Sequence, residues 1–184
     1  GLACEGDNPH EKLESFIKHR FNEGNNLTRV FTRSGLIVAC GPISRSFNDN
    51  FIAVGDVAGQ TKPTTGGGVI WGGVCAMIAG RVVAEAVEAG NSTQSFLKKY
   101  EILWRKKIWK EIRLTLLARK IADRLSDKTV DKIFKSIIES NLQKELSLEG
   151  DMDFQAGTIL RVAASKDILK ILLSSVSDLV GYLK

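Results

Sequence analysis

Two short segments of this 184-residue chain carry residue types that together can hold a polar ligand. The first is Gly55-Asp56, in which a glycine permits close approach to the backbone and a carboxylate can accept hydrogen bonds from sugar-type hydroxyl groups. The second is Gly66-Gly67-Gly68, which precedes a predicted helix. The first N–H groups of a helix lack intrahelical partners and stabilise negative charge. The combination is typical of a loop that grips a cofactor.

The elements around these segments predict how they are positioned. The apolar run Phe51–Val54 predicts a short buried strand that ends at the Gly-Asp pair. Pro63 stiffens the loop that follows, and the helix behind the three glycines is predicted to run to about Glu88. Small residues recur at a spacing of four on one face of this helix, which predicts close packing on a sheet or against a cofactor: Gly72, Ala76, Gly80 and Ala84.

The chain resembles the geranylgeranyl reductase family in the second flavin-binding motif of that family. The resemblance lies in Gly55-Asp56-x-Ala58-Gly59 and in the stretch Lys62-Pro63-Thr64-Thr65-Gly66-Gly67-Gly68. Members of the family are FAD-dependent reductases of isoprenoid chains, within a larger class that includes the aromatic hydroxylases. The match is close to the archaeal branch, which reduces double bonds in the geranylgeranyl chains of membrane lipids. Hydroxylases of the class commonly carry histidine at the position of Gly59, so Gly59 favours a reductase.

The resemblance implies roles for individual residues. Asp56 would hydrogen-bond the ribitol of FAD, and the N–H groups of the triple-glycine turn would face the pyrimidine edge, where reduced flavin is anionic. Trp71 would line the isoprenoid pocket, or would be an ordinary core residue. No catalytic residue is implied. The cofactor-binding residues implied by the motif are Gly55, Asp56, Ala58, Pro63, Thr65, Gly66, Gly67 and Gly68.

Several polar side chains of the motif have a structural alternative. Asp56 can cap a helix or turn instead of binding a ligand. Thr64 and Thr65 either add hydroxyl contacts to the ligand or cap the following helix. Lys62 either brings positive charge near the reduced flavin or is simply solvated.

The resemblance implies an α+β fold, the C-terminal part of an FAD-binding fold of the p-hydroxybenzoate hydroxylase type, with few strands followed by a mostly helical region. Residues 1–50 are predicted to end the substrate-binding sheet domain, residues 51–90 to be the C-terminal part of the FAD-binding domain, and residues 91–184 to be helical. The family opens with a strand–GxGxxG–helix that holds the ADP half of FAD. That fingerprint is missing here, which predicts a C-terminal fragment of a longer protein.

Periodicity predicts the remaining elements. Helices are expected over residues 9–21 and from about 92 to 125, and a third helix is expected after a Ser126-Asp127 cap. A turn is predicted at 22–26, strands at 30–32 and 36–40, and loops at 42–50 and 147–157. The third helix should bury Val130, Ile133, Phe134, Ile137 and Ile138, and a last helical region should bury Ile168, Leu172, Val176, Leu179 and Leu183.

The net charge of +5 is unevenly distributed, since residues 98–124 contain ten Lys or Arg against three acidic residues. Between Trp104 and Trp109 the basic residues are interleaved with aromatic ones, on a helix whose other face is apolar. This pattern favours a solvated helix face. Contact with an anionic membrane surface is the alternative, and nucleic acid is disfavoured. The membrane contact would use Arg105, Lys106, Lys107 and Lys110.

The three cysteines and two histidines show no spacing typical of a metal site. We therefore expect reduced thiols in a cytoplasmic protein. The basic helix would allow this protein to lie at the periphery of a membrane. No run approaches about 18 apolar residues, so no transmembrane helix is predicted.

The function implied by the resemblance is FAD-dependent saturation of double bonds in geranylgeranyl chains during membrane-lipid synthesis, with an isoprenoid lipid as substrate. The fragment is expected to be inactive alone, and the electron donor is not implied. One alternative is another flavoprotein, a monooxygenase or a quinone-linked dehydrogenase. A different alternative is a helical interaction module without catalysis.

Overall fold

The computed structural model describes residues 2–4, 6–21 and 28–175. The chain divides into two compact units, Gly1–Leu36 and Ile37–Lys184. The predicted boundaries at residues 50 and 90 both fall inside the second unit, because the short hairpin and the helices that follow it share one hydrophobic core. The assignment of these segments to a substrate domain and an FAD domain stays a prediction.

The first unit contains helix α1, Pro9–Phe21, which confirms the helix expected over 9–21. Its start is fixed by Asn8, whose side-chain oxygen accepts the backbone N–H of His10 at 3.0 Å. The turn predicted at 22–26 lies outside the described residues. The strand predicted at 30–32 is wrong, and so is the one predicted at 36–40, since both segments are irregular. Apolar residues alone do not make a strand without a neighbouring strand to accept its hydrogen bonds.

The second unit begins with a minimal hairpin. Strand β1, Phe47–Asn48, pairs antiparallel with β2, Phe51–Ile52. The predicted strand 51–54 is therefore only two residues long, and its first side chain, Phe51, is 55% exposed instead of buried. Within the described residues no further strand lies beside β2, so its outer edge has no strand partner.

Helices make up most of the second unit. After a 3-10 turn at Gly55–Ala58 come α2, Val69–Glu88, and α3, Gln94–Ala122, both close to their predicted bounds. The later helices are α4 (Asp127–Glu139), α5 (Leu142–Glu149), α6 (Ala156–Ala164) and α7 (Lys166–Ser174).

Two predictions for the later helices are confirmed and three details are corrected. The side chain of Ser126 caps α4 by accepting the N–H of Thr129 at 3.4 Å, and Ile168 is buried as expected. The loop predicted at 147–157 shrinks to residues 150–155, because α5 extends to Glu149 and α6 begins at Ala156. Phe134 and Ile138 are exposed, since α4 buries a narrower face than its apolar residues predicted. Val176, Leu179 and Leu183 lie outside the described residues.

The core forms where α2 crosses α3. Helix α2 buries one face at spacings of three and four, and α3 buries a matching stripe, with Phe47 of β1 at the edge. The predicted small-residue stripe of α2 lies off this face: Ala76, Gly80 and Ala84 are exposed, whereas Gly72 lies close to Gly55. The buried hydrophobic residues of the two helices are Trp71, Cys75, Ala79, Val82 and Ala86 in α2, and Leu97, Tyr100, Trp104, Ile108 and Ile112 in α3.

Helix α2 also bears on the expectation that no segment can span a membrane. Among the described residues it is the one helix that is long and apolar enough to cross a bilayer by length and composition alone. The core helix of a soluble protein meets the same criterion; α2 buries one face against α3, and 28% of its apolar window is buried.

Candidate cofactor-binding site

The Gly-Asp pair lies where the chain leaves the hairpin and turns back on itself. Gly55 has a φ of +76°, a conformation that favours glycine, and its N–H donates to the side-chain oxygen of Gln60 at 2.8 Å. The return bond runs from the Gln60 N–H to the Gly55 carbonyl at 3.1 Å, and Gly59 N–H donates to the Asp56 carbonyl at 2.9 Å. These bonds hold Asp56 at the tip of a closed turn.

A buried polar chain anchors this turn to α3. The amide nitrogen of Gln60 donates to the hydroxyl of Tyr100 at 2.9 Å, and that hydroxyl donates to the carbonyl of Ala53 at 3.1 Å. Both side chains are fully buried, and burial raises the pKa of Tyr100 to about 12. The tyrosine therefore keeps its proton and donates across the physiological range. The sequence analysis did not identify Tyr100 or Gln60 as supports of this turn.

The glycine loop, Lys62–Gly68, is closed by its own backbone. The carbonyl of Lys62 accepts the N–H of Gly66 at 2.8 Å, and the N–H of Lys62 donates to the carbonyl of Gly67 at 2.9 Å. Gly66 has a φ of +70°, and a side chain there would begin 2.5 Å from a methyl group of Ile37. Glycine is thus needed at this position for both backbone conformation and space.

The carboxylate of Asp56 lies against the far end of this loop. A Cβ built on Gly68 would stand 2.5 Å from the Asp56 Oδ1 atom, so the two residues touch only because position 68 has no side chain. Asp56 is exposed, and no donor among the described residues binds its carboxylate. The alternative of a turn or helix cap is therefore wrong: Gly68 is the N-cap of α2, with no side-chain cap bond.

The start of α2 offers free donors beside that carboxylate. Within the part of the chain that is described, the backbone N–H groups of Val69 and Ile70 meet no acceptor, as expected for the first turn of a helix. Gly67 N–H donates to the Thr65 hydroxyl at 3.3 Å, so Thr65 supports the loop and does not cap α2. A group that carries hydroxyls on one side and acceptors on the other fits this combination of carboxylate and N–H donors.

Three other motif residues, and Trp71 just after the motif, have structural roles. Ala58 and Pro63 are buried, and the Pro63 carbonyl accepts a hydrogen bond from Arg119 at 2.9 Å. The Thr64 hydroxyl donates to Gln155 at 2.5 Å, so Thr64 does not cap α2 either. Trp71 has no exposed surface, and its indole N–H donates to the carbonyl of Asp153 at 2.8 Å. Trp71 is therefore a core residue in this structure.

Lys62 differs from the expectation of a solvated side chain. Its ammonium group lies 2.8 Å from Asp153 Oδ1 and donates to the Met152 carbonyl at 3.0 Å, and the side chain is only 13% exposed. This pairing was invisible in the sequence, because the partners are about 90 residues apart.

The structure gives a reason why position 59 must be glycine. Its φ is +66°, and a Cβ would collide with the carbonyl oxygen of Gly41. Because the surrounding backbone requires glycine here, Gly59 by itself does not distinguish a reductase from a hydroxylase.

Arg105, in the middle of the basic helix, is held by partners within the fold. Arg105 pairs with the buried Glu101 at 2.6 Å, donates to the carbonyls of Ile43 and Ser44, and stacks over the rings of Trp104 and Trp109. The expectation of Arg105 as a surface cation is therefore wrong, since it ties α3 to the segment before β1. Three other basic residues of the cluster are exposed: Lys106, Lys107 and Lys110.

Two open grooves lie apart from the motif. One of about 420 Å³ runs between α2 and α3 beside Arg81, Lys106 and Lys107, and one of about 430 Å³ lies beside β2. None of the motif residues lines either groove. Among the described residues there is also no group of three or more His, Cys, Asp or Glu that is arranged to hold a metal ion.

Comparison with known proteins gives relatives of one kind. The chain is 44% identical over 123 residues to a digeranylgeranylglycerophospholipid reductase of Methanothermobacter thermautotrophicus, a match that covers 67% of this chain and 32% of the relative. It is 36% identical over 111 residues to the reductase of the same name in Methanococcus aeolicus, covering 59% of this chain and 28% of that protein. The chain thus spans about a third or less of the length of these relatives. No family model matches the chain.

Among solved structures, the chain is similar to a geranylgeranyl bacteriochlorophyll reductase-like protein from Thermoplasma acidophilum. The TM-score is 0.70 at 22% identity, over 92% of this chain and 40% of that one. The likeness confirms the predicted fold class, the C-terminal part of an FAD-binding fold. The sequence relatives then specify the group: they are digeranylgeranylglycerophospholipid reductases, in agreement with the family that the Gly-Asp and glycine-loop motif predicted.

Proposed function

We propose that this chain supplies part of the flavin site of an FAD-dependent reductase that saturates double bonds in the geranylgeranyl chains of membrane lipids. The observation that carries the proposal is the Asp56 carboxylate, which lies against Gly68 with no protein donor among the described residues. An exposed carboxylate fixed by a closed turn is available to a ligand. The similarity to digeranylgeranylglycerophospholipid reductases supports the class of substrate, an isoprenoid lipid.

The residues present fit FAD in a definite way. Asp56 would accept hydrogen bonds from ribitol hydroxyls, and the N–H groups at the start of α2 would favour negative charge at the pyrimidine edge. Such a helix terminus is worth about 0.3–2 kcal/mol, which tunes a cofactor and does not create its chemistry. The bound flavin supplies the hydride chemistry. The chain's own contribution is to bind and orient it through the turn of Gly55 and the loop of Gly66–Gly68.

Removal of the Asp56 carboxylate tests the proposal in the full-length protein. Asp56→Ala should weaken FAD binding roughly 10- to 150-fold, because a hydrogen bond to a charged group is worth about 1.5–3 kcal/mol. The melting temperature should change little, since the side chain is exposed. Asp131→Asn, an exposed acidic residue of α4, is the matched control and should leave FAD affinity unchanged. Unchanged flavin content in Asp56→Ala at limiting FAD would refute the assignment.

The type of reaction needs a separate measurement, because Gly59 does not distinguish a reductase from a hydroxylase. The holoenzyme should convert a geranylgeranyl lipid to a product heavier by two hydrogens for each reduced bond. A monooxygenase would instead give a product heavier by one oxygen. Mass spectrometry of the lipid product separates the two outcomes.

We further propose that the exposed lysines of α3 contact an anionic membrane surface, where the lipid substrate resides. Leu103 and Ile102 expose apolar surface beside Lys106 and Lys107, a combination typical of an interfacial helix. Each lysine near such a surface contributes up to about 1 kcal/mol.

Charge reversal tests the membrane contact. Lys106→Glu with Lys107→Glu should abolish sedimentation of the full-length protein with phosphatidylserine vesicles at low salt, while flavin content is retained. Binding of the wild type should weaken as the screening length shortens from about 30 Å at 0.01 M salt to about 8 Å at 0.15 M. Lys132→Glu with Lys135→Glu on α4 is the matched control. A wild type that ignores these vesicles at low salt would leave the lysines as a solvated helix face.

A further inference from the structure

The short segment between α5 and α6 has a defined local structure. We call residues 151–156 the clasp. The Asp151 carboxylate accepts the N–H groups of Asp153 at 2.7 Å and Phe154 at 2.9 Å, and these bonds lower the pKa of Asp151. The segment is therefore a turn held by its own side chain.

The clasp is fixed to the core on one side. The N–H of Ala156 donates to the Glu111 carboxylate of α3 at 2.8 Å, and the ring of Phe154 packs against the hydrophobic core. The carbonyl of Asp153 accepts the indole N–H of the fully buried Trp71 at 2.8 Å. Three independent contacts thus tie this turn to α2 and α3.

On its other side the clasp holds the glycine loop. Asp153 pairs with the Lys62 ammonium at 2.8 Å, and Gln155 accepts a hydrogen bond from Thr64 at 2.5 Å. The backbone of Lys62 in turn bonds Gly66 and Gly67, at 2.8 and 2.9 Å. A displacement of Lys62 is therefore transmitted directly to the glycines.

We propose that the clasp is a positioning element of the cofactor site: it fixes the glycine loop through Lys62–Asp153 and Thr64–Gln155, and so sets FAD affinity and the reduction potential of the bound flavin. The inference rests on the proposed function. Neither member of the Lys62–Asp153 pair needs to touch the ligand. Each acts on it through the loop backbone, which positions the free N–H groups of Val69 and Ile70 at the start of α2.

The test is a double-mutant cycle in the full-length protein reconstituted with FAD. Asp153→Asn and Lys62→Met should each weaken FAD binding about tenfold or more, and Lys62→Met also removes the bond to the Met152 carbonyl. The double variant should bind no more weakly than Lys62→Met, because that single variant already removes the Lys62–Asp153 pair. The midpoint potential of the flavin should shift in the same direction in all three. Asp167→Asn, which breaks the exposed pair with Lys170, is the matched control and should change neither quantity.

The outcomes separate the clasp from its alternatives. If the losses of the two single variants add, Lys62 contacts the flavin directly and the clasp inference is overturned. If FAD affinity and potential are unchanged, it is overturned as well. If Asp153→Asn does not fold, Gln155→Leu tests the second contact, and an unchanged potential in that variant overturns the inference. A wild type that binds no FAD refutes the proposed function itself.

Discussion

Asp56 and Gly68 meet in a contact that depends on the absence of one methyl group. The carboxylate oxygen Oδ1 lies 2.5 Å from the position that a Cβ on Gly68 would occupy, which is too close for both atoms. Gly68 itself has a φ of −115°, which any residue adopts, so the backbone conformation does not require glycine there. The requirement at position 68 is one of space next to the proposed ligand, unlike that at Gly66 and Gly59, where φ is positive.

This difference predicts the behaviour of Gly68→Ala. The new methyl group should displace the Asp56 carboxylate and weaken FAD binding of the full-length protein about tenfold or more, by the same mechanism as the loss of a hydrogen bond to a charged group. The midpoint of urea unfolding should move little. Gly73→Ala in the same helix has open space around the new methyl group and should leave FAD affinity unchanged. Equal affinities for the wild type and Gly68→Ala would show that the carboxylate position is irrelevant to the ligand.

Helix α3 acts as the support for elements that carry the site. Its Tyr100 reaches the hairpin and, through Gln60, the turn of Gly55. Its Glu111 receives the N–H that begins α6. A helix of 29 residues with a continuous buried stripe can supply these anchors at fixed spacings, whereas the two-residue strands cannot hold the turn by themselves.

Removal of the Tyr100 hydroxyl should show that the turn of Gly55 depends on α3 for its support. Tyr100→Phe leaves the buried amide nitrogen of Gln60 and the carbonyl of Ala53 without their partner, and an unsatisfied buried polar group costs about 1–3 kcal/mol. We expect the free energy of unfolding from urea titration to fall by that amount. Ser140→Ala, which deletes an exposed hydroxyl hydrogen bond, is the matched control and should change stability far less. A Tyr100→Phe variant as stable as the wild type would mean that the polar chain does not hold the turn.

At the scale of the whole molecule, two buried groups in the α2–α3 core make the free energy of unfolding depend on pH in the alkaline range. Burial raises the pKa of Cys75 from 9.0 to about 12 and that of Tyr100 from 10.0 to about 12. Above about pH 9 the unfolded chain loses the Cys75 proton while the folded chain keeps it. The folded state then binds more protons, so the free energy of unfolding falls as pH rises from about 9 towards 12.

Cys75→Ala should reduce this pH dependence. The variant starts from a lower stability, because the smaller side chain leaves space in the core. Its further loss of unfolding free energy between pH 8 and pH 10.5 should nevertheless be smaller than that of the wild type, since the buried thiol no longer contributes. Urea titrations at the two pH values give both slopes. Cys40→Ala, at an exposed thiol, should keep the wild-type slope. Equal slopes for Cys75→Ala and the wild type would contradict the raised pKa.

The sequence by itself determined the family, the Gly55-Asp56 and glycine-loop motif, and the long helices α2 and α3. These depend on local patterns: apolar periodicity, glycines that mark turns, and the Ser126 cap can all be read from neighbouring residues. The strands predicted at 30–32 and 36–40 failed because strand formation depends on a partner, and a single sequence does not reveal one.

Only the tertiary structure decided which side chains serve the ligand and which serve the fold. Lys62 lies within the motif and Trp71 just after it, yet both bond to Asp153. Arg105 lies among surface lysines, yet it is held by Glu101. Asp153 lies about 80 to 90 residues from its two partners, and no local pattern encodes such a pairing. Asp56 is the opposite case, since its carboxylate is left without a protein donor among the described residues. Long-range hydrogen bonds and burial exist only once the chain has folded, and they separate a residue that is available to a cofactor from one that holds the loop in place.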